Sequence, residues 1–255
     1  DPALPSLLTF PANDTTYTAL WNQGPYTVTY SVAGGQGTIQ AGSETPTTNS
    51  SVSVAHNGSV TFTAQPDTGW EVDSWTGVTA NTPNTTATLS NIDGNKTVTV
   101  KFKEKKYDVT FSVGYGHGGS LKGTYNGTDK TASGGSMLTF TVAHNGRVDF
   151  TAQPDTANGW EVQSWMVDSV IVPGHTSENY TLSNVTGPKT VTVIFKKKTY
   201  TVTFKVDGGE GKLQGVYGTQ TETAQNGGSE VTFTDVPHGT QVPFTATPEY
   251  GWEVK

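Results

Sequence analysis

The chain has 255 residues, 15% of them charged and 33% hydrophobic, with 30 glycines, 13 prolines, no cysteine and a net charge of −7. Without cysteine there are no disulfides, zinc–thiolate sites, thiol catalysts or iron–sulfur clusters, and the acidic balance gives no overall basic surface with which to displace counterions from a nucleic acid. No run approaches the ~20 apolar residues that span a bilayer, and Asp1 to Phe10 lack the basic start and apolar core of a signal peptide, so any targeting segment is expected to have been removed or to lie upstream.

Taken in chain order, the first element is LLTFPANDTTYTALW, Leu7 to Trp21. It aligns with a strand that closes the later units, Thr16–Trp21 standing where Thr97–Phe102 stands. Residues 1–25 are therefore expected to be the end of a preceding repeat or a linker strand. Tyr26 then opens YTVTYSVAGGQG, in which Tyr26, Val28, Tyr30 and Val32 alternate with Thr27, Thr29 and Ser31. Period two marks a strand with one buried face, and the glycine cluster marks a hairpin. AHNGSVTFTAQPDTGWEVDSW (Ala55 to Trp75) adds an Asn-Gly turn and two further strands. TLSNIDGNKTVTVKF (Thr88 to Phe102) closes the unit, with Val98, Val100 and Phe102 alternating against Thr97, Thr99 and Lys101.

The same order then recurs. YDVTFSVGYGHGG begins at Tyr107, AHNGRVDFTAQPDTANGWEVQSW runs from Ala143 to Trp165, and TLSNVTGPKTVTVIF runs from Thr181 to Phe195. YTVTFKVDGGEG begins a third copy at Tyr200, which continues as PHGTQVPFTATPEYGWEVK to Lys255. The modules are thus 26–106, 107–199 and an incomplete 200–255, a window onto a longer array. The second is longer through a Gly/Ser-rich segment near Thr131–Ser136 and extra residues near Val167–His175. No stretch carries a helical stripe with caps. About six or seven short strands per unit predict an all-β chain, a tandem array of small β-rich modules with grasp-like or sandwich-like sheets and little or no helix. Trp70, Trp160 and Trp252, with Phe62, Phe150 and Phe244, are the expected core anchors.

These linked motifs resemble the divergent internalin B-repeat family of bacterial and archaeal surface proteins. LTFPANDTTYTALW resembles the end of the related classical B-repeat. The resemblance implies a β-rich module with a grasp-like sheet, strung in arrays along secreted or wall-attached proteins, and it brings no catalytic residues. The expected location is extracellular, at the cell surface or cell wall.

The candidate chemistry is sparse. Gly114, Gly116 and Gly119 fit G-x-G-x-x-G, but a strand follows where a dinucleotide site needs a helix, so a hairpin turn is expected. His56, His144 and His238 occupy one repeated position. With Asp67 or Asp155 and a serine they would make a triad, yet recurrence in every copy indicates a role in the fold. His117 and His175 lack metal-ligand spacing. In strict alternation Trp70, Val72 and Ser74 face one way, leaving Glu71, Asp73 and Trp75 together on the other; Glu161 and Trp165 repeat this, with Gln163 in place of the aspartate. That group is a candidate sugar-stacking platform, against the alternative of a bulge near Ser74 that returns Trp75 to the core. Lys101, Lys103, Lys105, Lys106 and Lys196 to Lys198 read as solvated junction residues that discourage edge pairing. Lys205 points outward, which removes the buried lysine an isopeptide bond needs. Sequons stand at Asn13, Asn49, Asn57, Asn84, Asn95, Asn126, Asn179 and Asn184. The loop Asn91–Asn95 is acidic but lacks a dense calcium pattern.

The sequence therefore predicts no enzyme and no cofactor. It predicts a semi-rigid stalk or adhesive scaffold, with two alternatives: glycan binding through surface tryptophans, and filament assembly by strand complementation between chains. Expected partners are cell-surface or extracellular macromolecules, glycans or other copies of the chain, without nucleic acid and without direct membrane insertion in this segment.

Overall fold

A computed structural model describes residues 23–255. The strand expected in Leu7–Trp21 and the sequon at Asn13 lie outside the described residues. The chain divides into two compact units, Asp1–Lys103 and Glu104–Lys255.

The first unit carries strands β1 (Tyr26–Gly34), β2 (Gly37–Ala41), β3 (Asn49–Val54), β4 (Gly58–Pro66), β5 (Trp70–Thr76), β6 (Thr86–Ile92) and β7 (Lys96–Glu104). They form a four-stranded sheet in the order β3-β1-β7-β5 and a three-stranded sheet in the order β2-β4-β6. β1 runs antiparallel to β3 but parallel to β7. The module is thus sandwich-like, and its grasp-like feature is the parallel contact of first and last strands. Period-two patterning explains the core: Val28, Tyr30, Ile39, Phe62, Val98, Val100 and Phe102 are buried and draw on both sheets, while the intervening threonines stay wet. The Asn-Gly turn expected after Ala55 is present, with Asn57 in the left-handed region at φ 59°.

The second unit repeats this plan and enlarges it. Its strands are β8 (Lys106–Val113), β9 (Gly119–Tyr125), β10 (Thr128–Ser133), β11 (Met137–Ala143), β12 (Gly146–Pro154), β13 (Trp160–Val167), β14 (Val170–Ile171), β15 (Asn179–Val185) and β16 (Lys189–Lys197). The sheets run β11-β8-β16-β13-β14 and β10-β9-β12-β15. β8 and β16 are again parallel. The two inserted stretches fall on β10, which pairs with β9 (the counterpart of β2), and on the short strand β14 with its following loop. Seventeen buried residues, among them Phe111, Phe140, Phe150, Trp165 and Phe195, form the core.

The same unit continues with β17 (Thr199–Phe204), β18 (Gly211–Tyr217), β19 (Gln220–Gln225), β20 (Val231–Pro237) and β21 (Phe244–Pro248). These make the pairs β17-β20 and β19-β18-β21. Only Phe204, Ala224, Phe233 and Val236 are buried here. Among the described residues, helical geometry is confined to two 3₁₀ turns, Gly114–Gly116 and Thr156–Asn158. A strand, not a helix, follows Gly114–Gly116, but β8 and β9 lie in different sheets, so the turn is a crossover between sheets rather than the hairpin expected from the glycine string.

Candidate functional site

The tryptophan–acid strands are the first candidate, and strict alternation misplaces their indoles. The pairing of β13 with β16 shifts register between Val162 and Ser164. This bulge turns the following side chain over. Trp165, which strict alternation alone would put on the outer face, is fully buried, as the alternative of a bulge has it. Its Nε1 donates to the Ser177 carbonyl at 2.8 Å, and Tyr180 stacks on it with centroids 5.2 Å apart. His175 and Tyr180, from the inserted loop and β15, cover this ring. Trp75 lacks that cover and is half-buried, its Nε1 donating to the Asn84 carbonyl at 2.7 Å. Trp165 therefore has no face to stack on a sugar, and Trp75 has at most part of one.

A second correction concerns the expected anchors. Phe62 and Phe150 are buried, but Trp70 and Trp160 are only partly so, Trp252 is 52% exposed and Phe244 is 42% exposed. Trp160 lies flat against the backbone of Gly118, where an added Cβ would fall 2.8 Å from the indole. Lys197 Nζ sits 4.9 Å from its ring centroid, and His117 meets it edge-on. Its faces are occupied from within the module.

The acids are also satisfied internally. Glu71 pairs with Lys103 at 3.5 Å, and Asp73 reaches Lys101 and Lys103 at 3.7 Å each. Glu161 pairs with Lys196 at 3.4 Å. Lys101, Lys103 and Lys196 are thus rungs of a cross-strand ladder as well as solvated junction residues. Exposed pairs of this kind contribute roughly 0–1 kcal/mol each.

The repeated histidines each pack on the opening tyrosine of their own module. Centroid separations are 5.9 Å for Tyr26–His56, 6.0 Å for Tyr107–His144 and 5.9 Å for Tyr200–His238. Asp155 accepts from Asn158 Nδ2 and N, and these bonds hold its carboxyl below the usual range. In the Asn91–Asn95 loop Asp93 pairs with Lys96 at 2.9 Å, while Asn95 Oδ1 accepts from Thr27 N. No cluster of three or more His, Asp or Glu side chains suited to a metal occurs among the described residues. Lys205 is exposed. The seven described sequon asparagines are exposed, although Asn84 Nδ2 donates to Val72 O and Asn179 Oδ1 accepts from Thr151.

One feature of the second unit escapes sequence reasoning. A single residue, Lys198, separates β16 from β17. Its N–H donates to Gly159 O at 2.8 Å, and its carbonyl accepts from His238 N at 2.8 Å. Gly159 has φ +73°, and a Cβ there would strike the His238 ring at 2.2 Å. Residues from two repeats thus interlock around one linker residue. The only sequence signal is the glycine before the tryptophan in each copy, Gly69, Gly159 and Gly251.

The model of the divergent InlB B-repeat domain family matches residues 26–106 and 116–199, more than half of the chain. No curated protein matches. Among solved structures, the chain is similar to the Bacillus anthracis TIE protein, with 11% identity over 89% of this chain and a TM-score of 0.43. It spans 44% of that protein's chain. It is also similar to the major pilin from Streptococcus pyogenes, with 11% identity over 69% of this chain and 99% of the pilin and a TM-score of 0.31. TM-scores this low carry no argument about function.

Proposed function

The chain belongs to the divergent InlB B-repeat domain family, and from that premise we propose that it is a non-catalytic extracellular repeat region acting as a semi-rigid stalk or adhesive scaffold of a cell-surface protein. The observation that carries this reading is the interlocked joint between the second and third repeats. A flexible tether needs several free residues between modules. Here one residue, Lys198, is hydrogen-bonded to both neighbours while His238 packs on Gly159. Bending at this joint breaks bonds and unpacks a ring, so it resists bending. The outer threonines and internally paired charges further support a passive, soluble shaft. Cross-strand contacts such as Thr61 with Thr88 at 3.1 Å and Thr110 with Thr139 at 3.0 Å tie the surface of each module to itself.

Small-angle scattering of the full chain tests the reading. A compact 255-residue globule has a radius of gyration of roughly 18 Å. The proposal expects a value well above this when the data are extrapolated to infinite dilution. A value near 18 Å would contradict a spacer.

A further inference from the structure

The three repeats provide an internal comparison of one structural position, the edge strand that precedes the His-containing turn. In the second repeat this edge is β11, and two of its backbone groups are taken by side chains. Lys130 Nζ donates to Thr139 O at 2.6 Å while lying 4.9 Å from the Phe140 ring centroid, and Ala143 N donates to Tyr125 OH at 3.0 Å. In the third repeat the edge is β20. It is interrupted by a register shift opposite Tyr200 and Val202, with Asp235 at φ 57°, and Tyr217 OH donates to Asp235 O. Charges, bulges and covered backbone groups are the devices by which natural sheets prevent edge-to-edge association.

Among the described residues, the equivalent edge of the first repeat, β3, has no charge, no register shift and no residue at positive φ, and its side-chain-bonded backbone groups are confined to Asn49 at one end. The strand, Asn49-Ser-Ser-Val-Ser-Val54, is mostly exposed. β10, which with the end of β9 supplies Lys130 and Tyr125 to β11, is reduced in the first repeat to the single bridge of Ile39 with Thr47, and β2, the counterpart of β9, ends at Ala41.

We infer that β3 is an association edge that pairs antiparallel with β3 of a second copy of this chain. The strand is self-complementary. A two-fold axis through Val52 sets Val52 against its own equivalent, Ser50 against Val54 and Ser51 against Ser53. Residues of one face meet residues of the same face, as continuous sheets require. The two four-stranded sheets β3-β1-β7-β5 then become one eight-stranded sheet. No like charges stand opposite one another in the strand pair, and a two-fold contact of this kind closes on itself. Each copy has a net charge of −7, so long-range repulsion opposes the encounter and added salt favours it.

Sedimentation equilibrium of the full 27.0 kDa chain tests the inference. The expected result is a concentration-dependent monomer–dimer equilibrium, strengthened by salt. Ser51→Lys/Ser53→Lys places lysine opposite lysine in the stated register and is expected to weaken dimerisation at least tenfold; both positions are exposed, and circular dichroism checks that the fold is kept. Mixing this variant with Ser51→Glu/Ser53→Glu is expected to restore a heterodimer tighter than either homodimer. A chain that stays monomeric at about 1 mM, a lysine variant that dimerises like the parent, or a charge-swapped mixture without recovery would each overturn the inference. The spacer reading is unaffected by any of these results, since it is tested by the length of the monomer.

Discussion

Trp165→Ala tests most sharply whether these tryptophans serve the core or the surface. The indole is fully buried against Phe150 and Tyr180. Emptying such a site costs about 3–5 kcal/mol. Removing Nε1 also leaves the Ser177 carbonyl without its 2.8 Å donor, which adds ~1 kcal/mol. The sum is roughly 4–6 kcal/mol, in the range reserved for core defects. At ~2–4 °C per kcal/mol for a unit of this size, the transition of the second unit, Glu104–Lys255, should fall by roughly 8–24 °C in calorimetry of the full chain. Trp75→Ala removes a half-buried ring whose carbonyl partner, on exposed Asn84, can turn to water. Its cost should be about 2 kcal/mol, or ~8–16 °C on the first unit alone. A drop of only a few degrees for Trp165→Ala, or equal losses of unfolding free energy for both variants, would refute the argument that the bulge and the inserted loop bury one indole more than the other.

Three further outcomes follow from the same geometry. Gly159→Ala forces a Cβ into the His238 ring at a φ of +73°; it should lower the melting of the third repeat and loosen its joint, read as broadened interspin distances, and an unchanged distribution would remove the joint from the account. Hydrogen bonds from Lys189, and then from Thr190 N–H, hold the Asp168 carboxyl below its usual 3.8. A depressed folded-state value means that this stabilisation is present above pH 3.8 and is lost as pH falls below it; thermal melts should therefore be flat from neutral pH down to about 5 and decline below 3.8, with Asp168→Asn reducing the decline, and equal slopes in both proteins would contradict the assignment. A peptide of β16 sequence, Lys189–Lys197, should add alongside β17 as β16 lies beside β8. It would cover Trp252 as Lys197 covers Trp160, seen as a blue shift of tryptophan emission that a scrambled peptide fails to produce.

The strands and modules were legible because period-two patterning and near-identical copies both report one buried face. Counting in twos places Tyr30 and Val98 in the core, and recurrence in each copy places Phe62 and Phe150 there. The same counting failed at Trp165, because a bulge adds one residue to a strand and inverts everything beyond it, and nothing in EVQSW marks the extra residue. The pairing of the acids was illegible for a different reason. Their partners, Lys101, Lys103 and Lys196, lie in closing strands about 30 residues away in sequence, and only the sheet order brings them across. The edge comparison was hidden too, since the function of Lys130 depends on β10, whose extent looked like mere length variation.

The central claim is that the second and third repeats are locked together, and interspin distances across the Lys198 joint measure it directly. The chain has no cysteine, so Ser183→Cys/Thr221→Cys places one spin label on exposed β15 and one on exposed β19. A single narrow distance distribution by double electron–electron resonance is the expected result. A broad or multimodal distribution would mean that the repeats swing freely and that the chain is a tether rather than a shaft.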